Sequence, residues 1–174
     1  MFIKRFKAKE IAAVGLLVSL GLVLHYAESI LPFFQVLPGG RLGLANIVTL
    51  LAFSLSGTGT ALLVGLLRCF LSGVFGGAVS SIIYSGFGTL FSVLAMWLAK
   101  RLLSQKVSTI GRSMLGAFFF NAAQVSVCAI LLENTYVFSY LPPLTIVSAF
   151  CGLLTGICAK RVEKSFCPQM DGEA

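Results

Sequence analysis

The sequence predicts an all-α integral membrane bundle of six transmembrane helices. Hydrophobic residues make up 57% of the 174 residues and charged residues only 11%, whereas a soluble domain carries about 25% charged residues. The apolar residues also fall into six long runs that lack the alternation of a membrane β-strand. Helices are then the spanning structures that remain, because every backbone polar group in hydrocarbon must find a partner within the protein.

The six predicted spans cover residues 11–31, 42–56, 60–79, 81–99, 107–132 and 137–159. Most have about the 17–25 residues that a helix needs to cross the hydrocarbon. The second is short, and part of 37–43 is expected to complete it. The first run follows four cations, as in a signal peptide, but no small-residue cleavage site is clear and five more runs follow, so we interpret it as a retained span. The glycine-dense segment 72–88 is predicted to be an outer turn between the third and fourth spans.

The cations predict an orientation with both termini inside. Ten of the thirteen cations then lie in the cytoplasm, in the segments 4–9, 100–106 and 160–164, as the positive-inside rule requires. The chain is predicted to be one multi-pass domain (1–164) of the bacterial cytoplasmic membrane, with a disordered cytoplasmic tail (165–174). Cations on the cytoplasmic side set the orientation of a membrane protein and can contact anionic lipid, which explains the net positive charge of the chain. We therefore expect no nucleic-acid partner.

The segment LPGGRLGLANIVTLLAF, residues 37–53, places Arg41 and Asn46 at the mouth of the second apolar run. Polar groups at that depth cost free energy unless they are satisfied, which suggests a function for them. In the predicted orientation Arg41 is the one cation that belongs to an outer connection. We therefore take both residues as candidate ligand-binding groups.

Further polar residues are predicted to lie in the outer half of the bundle. They are His25 and Glu28 on the first span, Tyr84 on the fourth, and Asn121 and Gln124 on the fifth. Asn121 and Gln124 are three residues apart and so share a helix face. A ligand cavity open to the outside is one interpretation. Alternatively, the two amides form hydrogen bonds between helices, and His25 lies at the membrane interface.

Two arginines lie inside apolar runs. Arg68 is about eight residues into the third span, and a guanidinium at that depth must pair with another group or reach water. Helix carbonyls, a carboxylate and an anionic ligand are all open as its partner. Arg112 is close enough to the cytoplasmic end of the fifth span to extend its side chain to the interface.

Small residues form a narrow stripe on the first span, at Ala8, Ala12, Gly15 and Ser19. Such a stripe lets another backbone approach closely. Packing inside the bundle is one explanation, and docking of a separate membrane subunit is the other. Gly152 and Gly156 form a second small-residue pair in the sixth span.

The sequence offers no enzyme site. Its one aspartate, Asp171, lies in the tail, so the clustered carboxylates that hold Mg²⁺ in prenyl-transfer synthases are missing. GTGT at 57–60 has no lysine after it and is not a phosphate-binding loop. The five cysteines lack metal-ligand spacing, and we expect no metal and no cofactor.

Four segments carry a resemblance to a known family: RLGLANIVTLLAF, LLRCFLSGVFGG, IYSGFGTLFSVLAMWL and YLPPLTIVSAFCGLLTGICA. Over residues 8–162 the chain resembles the Gx transporter family, often labelled heptaprenyl diphosphate synthase component I. That family is similar to the substrate-binding (S) components of energy-coupling factor transporters. The resemblance implies a first helix that docks on a membrane coupling subunit through Ala8 and Ala12. It also implies an outer loop before Arg41 that covers the ligand.

The predicted function is therefore uptake of a small vitamin-like or cofactor-precursor molecule, with a flavin or a quinone-related precursor as the substrate class. Energy would come from ATPase subunits on the partner side, and the chain itself would not be an enzyme. The alternatives are a non-catalytic membrane subunit of heptaprenyl diphosphate or quinone synthesis, and a structural scaffold in an electron-transfer assembly.

Overall fold

The structure, a computed structural model, describes residues 8–30, 46–76, 79–102 and 107–166. These ranges form helices without a strand, which confirms the all-α prediction. The α-helices are α1 (Ala8–Ile30), α2 (Asn46–Ser56), α3 (Thr58–Phe75), α4 (Val79–Leu102), α5 (Thr109–Leu131) and α6 (Leu141–Phe166), and a 3-10 helix (Thr135–Tyr140) precedes α6.

Five of these helices are long and apolar enough to cross a membrane, and α2 is not. With 11 residues, α2 is about 16 Å long at the usual helical rise, roughly half the thickness of the hydrocarbon core. The chain is thus a multi-pass membrane protein with five membrane-capable helices and one shorter apolar helix. The expected completion of the second span by 37–43 lies outside the described residues, and the orientation stays a prediction.

The segment 72–88, predicted to be the outer turn between the third and fourth spans, does join α3 to α4, but the turn is shorter than expected. In the structure α3 continues to Phe75 and α4 begins at Val79, so most of this segment is helical. Two of its glycines allow tight packing between helices: Gly73 lies against Ile82, and Gly88 lies against the ring of Phe120. In membrane helices glycine is common at interfaces between helices, because its lack of a side chain lets two helix backbones approach closely.

The boundaries of the last span also differ from the prediction. A 3-10 helix occupies Thr135–Tyr140, and the side chain of Asn134 accepts a 2.9 Å hydrogen bond from the backbone N–H of Tyr136 at its start. The long helix therefore begins at Leu141 and not at position 137. It continues to Phe166, so positions 165 and 166, assigned to the tail, are helical. The rest of the predicted tail lies outside the described residues.

Consecutive helices pack antiparallel. Gly152 of α6 lies against Met114 of α5, while Gly156 lies against Ile110, one turn back along α5. A 2.8 Å hydrogen bond between the hydroxyls of Ser113 and Thr155 joins the same two helices. The pair Gly152 and Gly156 thus packs inside the bundle, which was one of the two roles left open for such pairs.

The turn between α2 and α3 is a single residue, Gly57, with a φ of 89°. This conformation is costly for residues with a Cβ atom and routine for glycine. It reverses the chain in so short a distance that α2 and α3 form a hairpin. The shorter α2 begins near the middle of α3, since Thr49 lies against Gly65. The end of α3 lies at one end of the bundle, together with the start of α4 and the end of α5. We call this the outer end, after the predicted orientation, and the opposite end the inner end.

The helices differ in how deeply they are embedded. Half of the apolar window of α5 is buried (50%), against 17% for α1, so α5 is central and α1 peripheral. The largest core cluster joins α1 to α2, α3, α4 and α6, with Val48, Phe53 and Val64 almost fully buried. Large apolar side chains such as Phe70 and Ile146 cover the outside, as expected of faces that contact lipid.

Candidate functional site

The two amides of α5 are buried, as a shared helix face predicted. Asn121 is 4% exposed and Gln124 is 2% exposed. Gln124 packs close to Gly88 of α4, where an added Cβ would lie 3.2 Å from its Cγ atom. The side-chain oxygens Oδ1 of Asn121 and Oε1 of Gln124 are buried without a hydrogen-bond partner among the described residues. Each is an acceptor that the fold leaves unused.

The first turn of α2 adds two more polar groups. Asn46, a predicted ligand residue, opens the helix, and its Nδ2 atom is buried without a hydrogen-bond partner in the described part of the chain. Thr49, one turn later, is 1% exposed, and its hydroxyl is unpaired there as well. This hydroxyl faces Gly65 of α3, where an added Cβ would lie 3.4 Å from it. The helix therefore carries a donor and a hydroxyl into the bundle.

Arg68 of α3 is buried, at 4% exposed, whereas an arginine that anchors a helix at the interface keeps its head group in water. Its aliphatic stem lies over Gly21 of α1, where a Cβ would lie 2.8 Å from the Cδ atom of Arg68. The Nη2 atom reaches the Sγ atom of Cys69 at 3.8 Å, a weak contact. The Nε atom has no partner in the described ranges. A guanidinium has five donors, so most of its capacity is available to another group.

Three small hydroxyl residues lie on one face of α4, and sequence reasoning missed two of them, Thr89 and Ser92. Ser85, Thr89 and Ser92 are all at most 2% exposed and follow a spacing of four and three residues, one face of a helix. Thr89 donates to the carbonyl of Ser85 at 2.8 Å and lies 3.2 Å from the Sγ atom of Cys69. This helical spacing of hydroxyls, visible in the sequence, was the signal that would have found them.

These groups come together toward the outer end. Six side-chain N or O atoms are buried without a hydrogen-bond partner in the described ranges, and five of them lie between mid-bundle and the outer end. We call the residues that carry these five atoms the polar interior: Asn46, Thr49, Arg68, Asn121 and Gln124. The sixth atom, Nε of Arg112, lies near the inner end, where its Nη2 also contacts the Thr109 hydroxyl at 3.4 Å.

Two glycines bring parts of the polar interior close to neighbouring helices. Thr49 of α2 and Thr89 of α4 both lie against Gly65 of α3. Thr89 contacts Cys69, which lies next to Arg68 in the chain. On its other side Gly88, the neighbour of Thr89, packs against Gln124. Gly65 thus brings Thr49 and Thr89 close to α3, and Gly88 brings Gln124 close to α4.

The other predicted ligand residues are less connected to this set. Tyr84 is half-buried on α4. His25 is half-buried and stands edge-on to Tyr26, with ring centroids 6.2 Å apart. Glu28 is 6% exposed near the end of α1. Arg41 lies outside the described residues, so its role in ligand binding and the loop that covers the ligand stay predictions.

The small-residue stripe of α1 lies on the surface. Ala8, Ala12, Gly15 and Ser19 are all exposed, and an added Cβ at Gly15 would meet nothing within 4 Å. The Ser19 hydroxyl donates to the carbonyl of Gly15 at 2.9 Å, which satisfies it within the helix. The described part of the bundle therefore does not use this stripe for its own packing.

Metal binding finds no support among the described side chains. Within these ranges no three His, Cys, Asp or Glu residues are grouped closely enough to hold an ion. The described cysteines are free, with Cys69, Cys128 and Cys151 buried and Cys158 exposed. The chemistry available in the polar interior is hydrogen bonding and one positive charge.

A comparison with protein families gave one match, which covers residues 17–162. The matched family is described as heptaprenyl diphosphate synthase component I. Neither the curated proteins nor the solved structures contained a match to the chain. Since the family match includes α2 to α5 completely and most of α1 and α6, the chain belongs to the heptaprenyl diphosphate synthase component I family.

Proposed function

We propose that this protein is the substrate-binding (S) component of an energy-coupling factor transporter for a small vitamin-like or cofactor-precursor molecule. The polar interior is the observation that carries the proposal. It holds five buried polar atoms whose hydrogen bonds the described chain leaves unmade. Each such group costs about 1–3 kcal/mol in an apolar setting. A ligand that completes these hydrogen bonds would gain that free energy on binding. Helix packing alone does not explain why the polar atoms are buried, because it leaves them unpaired.

The composition of the site favours a ligand with several hydrogen-bonding groups on a compact apolar frame. Asn121 and Gln124 each offer an unused acceptor, while Asn46 and Arg68 offer unused donors. A flavin or a quinone-related precursor combines carbonyl and N–H or hydroxyl groups with an aromatic ring, and is the substrate class that we favour.

Energy for uptake would come from partners. The stripe of Ala8, Ala12, Gly15 and Ser19 is exposed over three turns of the most peripheral helix. Small residues favour close helix–helix approach in a bilayer, which supports docking of a membrane coupling subunit there, with ATPase subunits attached to it. In this proposal the chain itself catalyses nothing.

The family description favours a second candidate function. Its words, heptaprenyl diphosphate synthase component I, suggest a non-catalytic membrane subunit that assists an isoprenoid synthase. This candidate requires a stable complex with the synthase and a change in its activity or product length. It does not require a small molecule in the polar interior.

Native mass spectrometry of the protein purified from its own membranes tests both candidates, because it detects retained small molecules and subunits together. The transporter proposal expects a bound molecule in the wild type and its loss in Asn121→Leu and Gln124→Met. Both variants remove an unsatisfied acceptor at similar volume, so we expect their thermal unfolding temperatures to be unchanged or higher. Arg112→Met is the control, because it removes an unpaired donor at the inner end and should keep the molecule.

Two results would contradict the proposal. One is a wild-type protein that retains no small molecule and copurifies with a prenyl synthase, which would favour the second candidate. The other is a bound molecule whose retention does not change in Asn121→Leu or Gln124→Met, which would place the ligand outside the polar interior.

A further inference from the structure

A cavity lies toward the inner end of the bundle, between α3 and α4. It is a groove of about 400 Å³ lined by Thr58 and Leu62 of α3 and by Leu90, Phe91, Leu94 and Trp97 of α4. This volume falls within the range of about 300–1,000 Å³ that is typical of ligand pockets. The groove uses the start of α3 and the second half of α4. It is therefore separate from the polar interior at the outer end.

The groove opens on the exposed face of α4. Leu90, Phe91 and Leu94 are 41%, 48% and 49% exposed. Apart from Thr58 every lining side chain is apolar or aromatic, so a hydrocarbon chain fits the groove and water does not. In a protein whose helices cross the bilayer, the occupant that this chemistry selects is an acyl chain.

Positive charge lies where the groove ends. The guanidinium of Arg101 stacks on the ring of Trp97, with its carbon atom 5.3 Å from the ring centroid. Its neighbour Lys100 holds its Nζ atom 5.7 Å from the centroid of the Phe53 ring. Both side chains are exposed and so remain open to a further partner. Cations next to an apolar groove complement a molecule with an apolar chain and an anionic head.

The start of α3 faces the same place. Thr58 is the first residue of α3, and the N-cap residue Gly57 offers no side chain to cap the first N–H groups. These N–H groups have no acceptor inside the helix and carry the positive end of the helix dipole. A phosphate held between them and Arg101 would meet donors from both sides.

We propose that the groove binds an anionic phospholipid, with one acyl chain along Leu62, Leu90 and Leu94 and the phosphate against Arg101 and the start of α3. Charge complementarity favours an anionic lipid over a zwitterionic one such as phosphatidylcholine, because the choline group would repel Arg101 and Lys100. The proposal does not depend on what binds in the polar interior.

The test is native mass spectrometry of the full-length protein, delipidated in detergent and titrated with phosphatidylglycerol or phosphatidylcholine of identical acyl chains. We expect phosphatidylglycerol to bind about tenfold more tightly, the preference that one to two interfacial cations supply. Arg101→Gln should lose most of this preference. Arg161→Gln is the control, since Arg161 is an exposed cation near the end of α6 that does not line the groove.

A second pair of variants tests the apolar part. Leu94→Trp fills the groove and should reduce phosphatidylglycerol binding as much as Arg101→Gln does. Leu153→Trp makes the same change on α6 at a similar exposure of 40% and should not. Equal affinity for the two lipids in the wild type, or equal effects of Arg101→Gln and Arg161→Gln, would overturn the proposal. So would farnesyl diphosphate displacing phosphatidylglycerol at equimolar concentration, because the groove would then select an isoprenoid diphosphate.

Discussion

Arg68 is the residue whose position is hardest to explain by folding alone. A guanidinium 4% exposed in an apolar bundle has lost its hydration, and among the described residues no carboxylate replaces it. Its recorded polar contact, with the Sγ atom of Cys69, is 3.8 Å long. The side chain is nevertheless held in place, because Gly21 leaves room for its stem. An arginine that costs stability in the empty protein is consistent with a role in binding.

Arg68→Met tests this cost. Methionine fills much of the same volume without the charge, so we expect it to stabilise the ligand-free protein by about 1–3 kcal/mol, the penalty of a buried unsatisfied group. The measurement is thermal unfolding in detergent, and Arg161→Met, at an exposed position, should change stability by less than about 0.5 kcal/mol. A clear loss of stability in Arg68→Met would mean that the arginine has a structural partner and is not reserved for a ligand.

The sequence identified some members of the polar interior and missed others for a physical reason. Asn121, Gln124 and Arg68 are conspicuous because amides and guanidiniums are rare within apolar runs. Thr49 and Thr89 are not, because a threonine in a membrane helix ordinarily bonds to a carbonyl one turn back. Thr89 does so, whereas Thr49 does not. Sequence spacing alone does not reveal that difference.

At the scale of elements, glycine was the least predictable residue. The glycines of 72–88 suggested a turn, yet Gly73 and Gly88 lie within helices whose neighbours approach closely. The same composition serves both purposes, and only the partner helix distinguishes them. Hydropathy located the long helices well because their length is imposed by the bilayer. Their ends moved by several residues because caps and 3-10 turns decide them.

Gly152 and Gly86 provide a matched pair for the packing argument. An added Cβ at Gly152 would lie 2.8 Å from the Cα atom of Met114, which belongs to a backbone and cannot rotate away, whereas at Gly86 it would meet nothing within 4 Å. We expect Gly152→Ala to destabilise the protein by about 1–3 kcal/mol through overpacking. Gly86→Ala should be neutral or stabilising by up to about 1 kcal/mol. Equal unfolding temperatures for the two variants would show that α5 and α6 pack less closely than described.

At the scale of the whole molecule, composition alone predicted a multi-pass membrane protein, and five membrane-capable helices confirm it. Composition did not predict that one end of the bundle is polar inside while the groove at the other end is apolar, because each arises from how α2 to α5 are placed around one another. The two ends therefore have separate tests: ligand retention for the polar interior and lipid preference for the groove.

Docking of a partner on the peripheral helix α1 can be tested with two neighbouring alanines that lie on different faces of the helix. Ala12 belongs to the exposed small-residue stripe, and Ala13 is equally exposed but lies about 100° further around the helix. If a coupling subunit docks on the stripe, Ala12→Trp should abolish its copurification and ATP-dependent uptake, while the ligand retained by the polar interior stays bound. Ala13→Trp adds the same bulk beside the stripe and should leave the complex intact. Loss of partner subunits in both variants would indicate a general disturbance of α1, and retention in both would exclude the stripe as the docking surface.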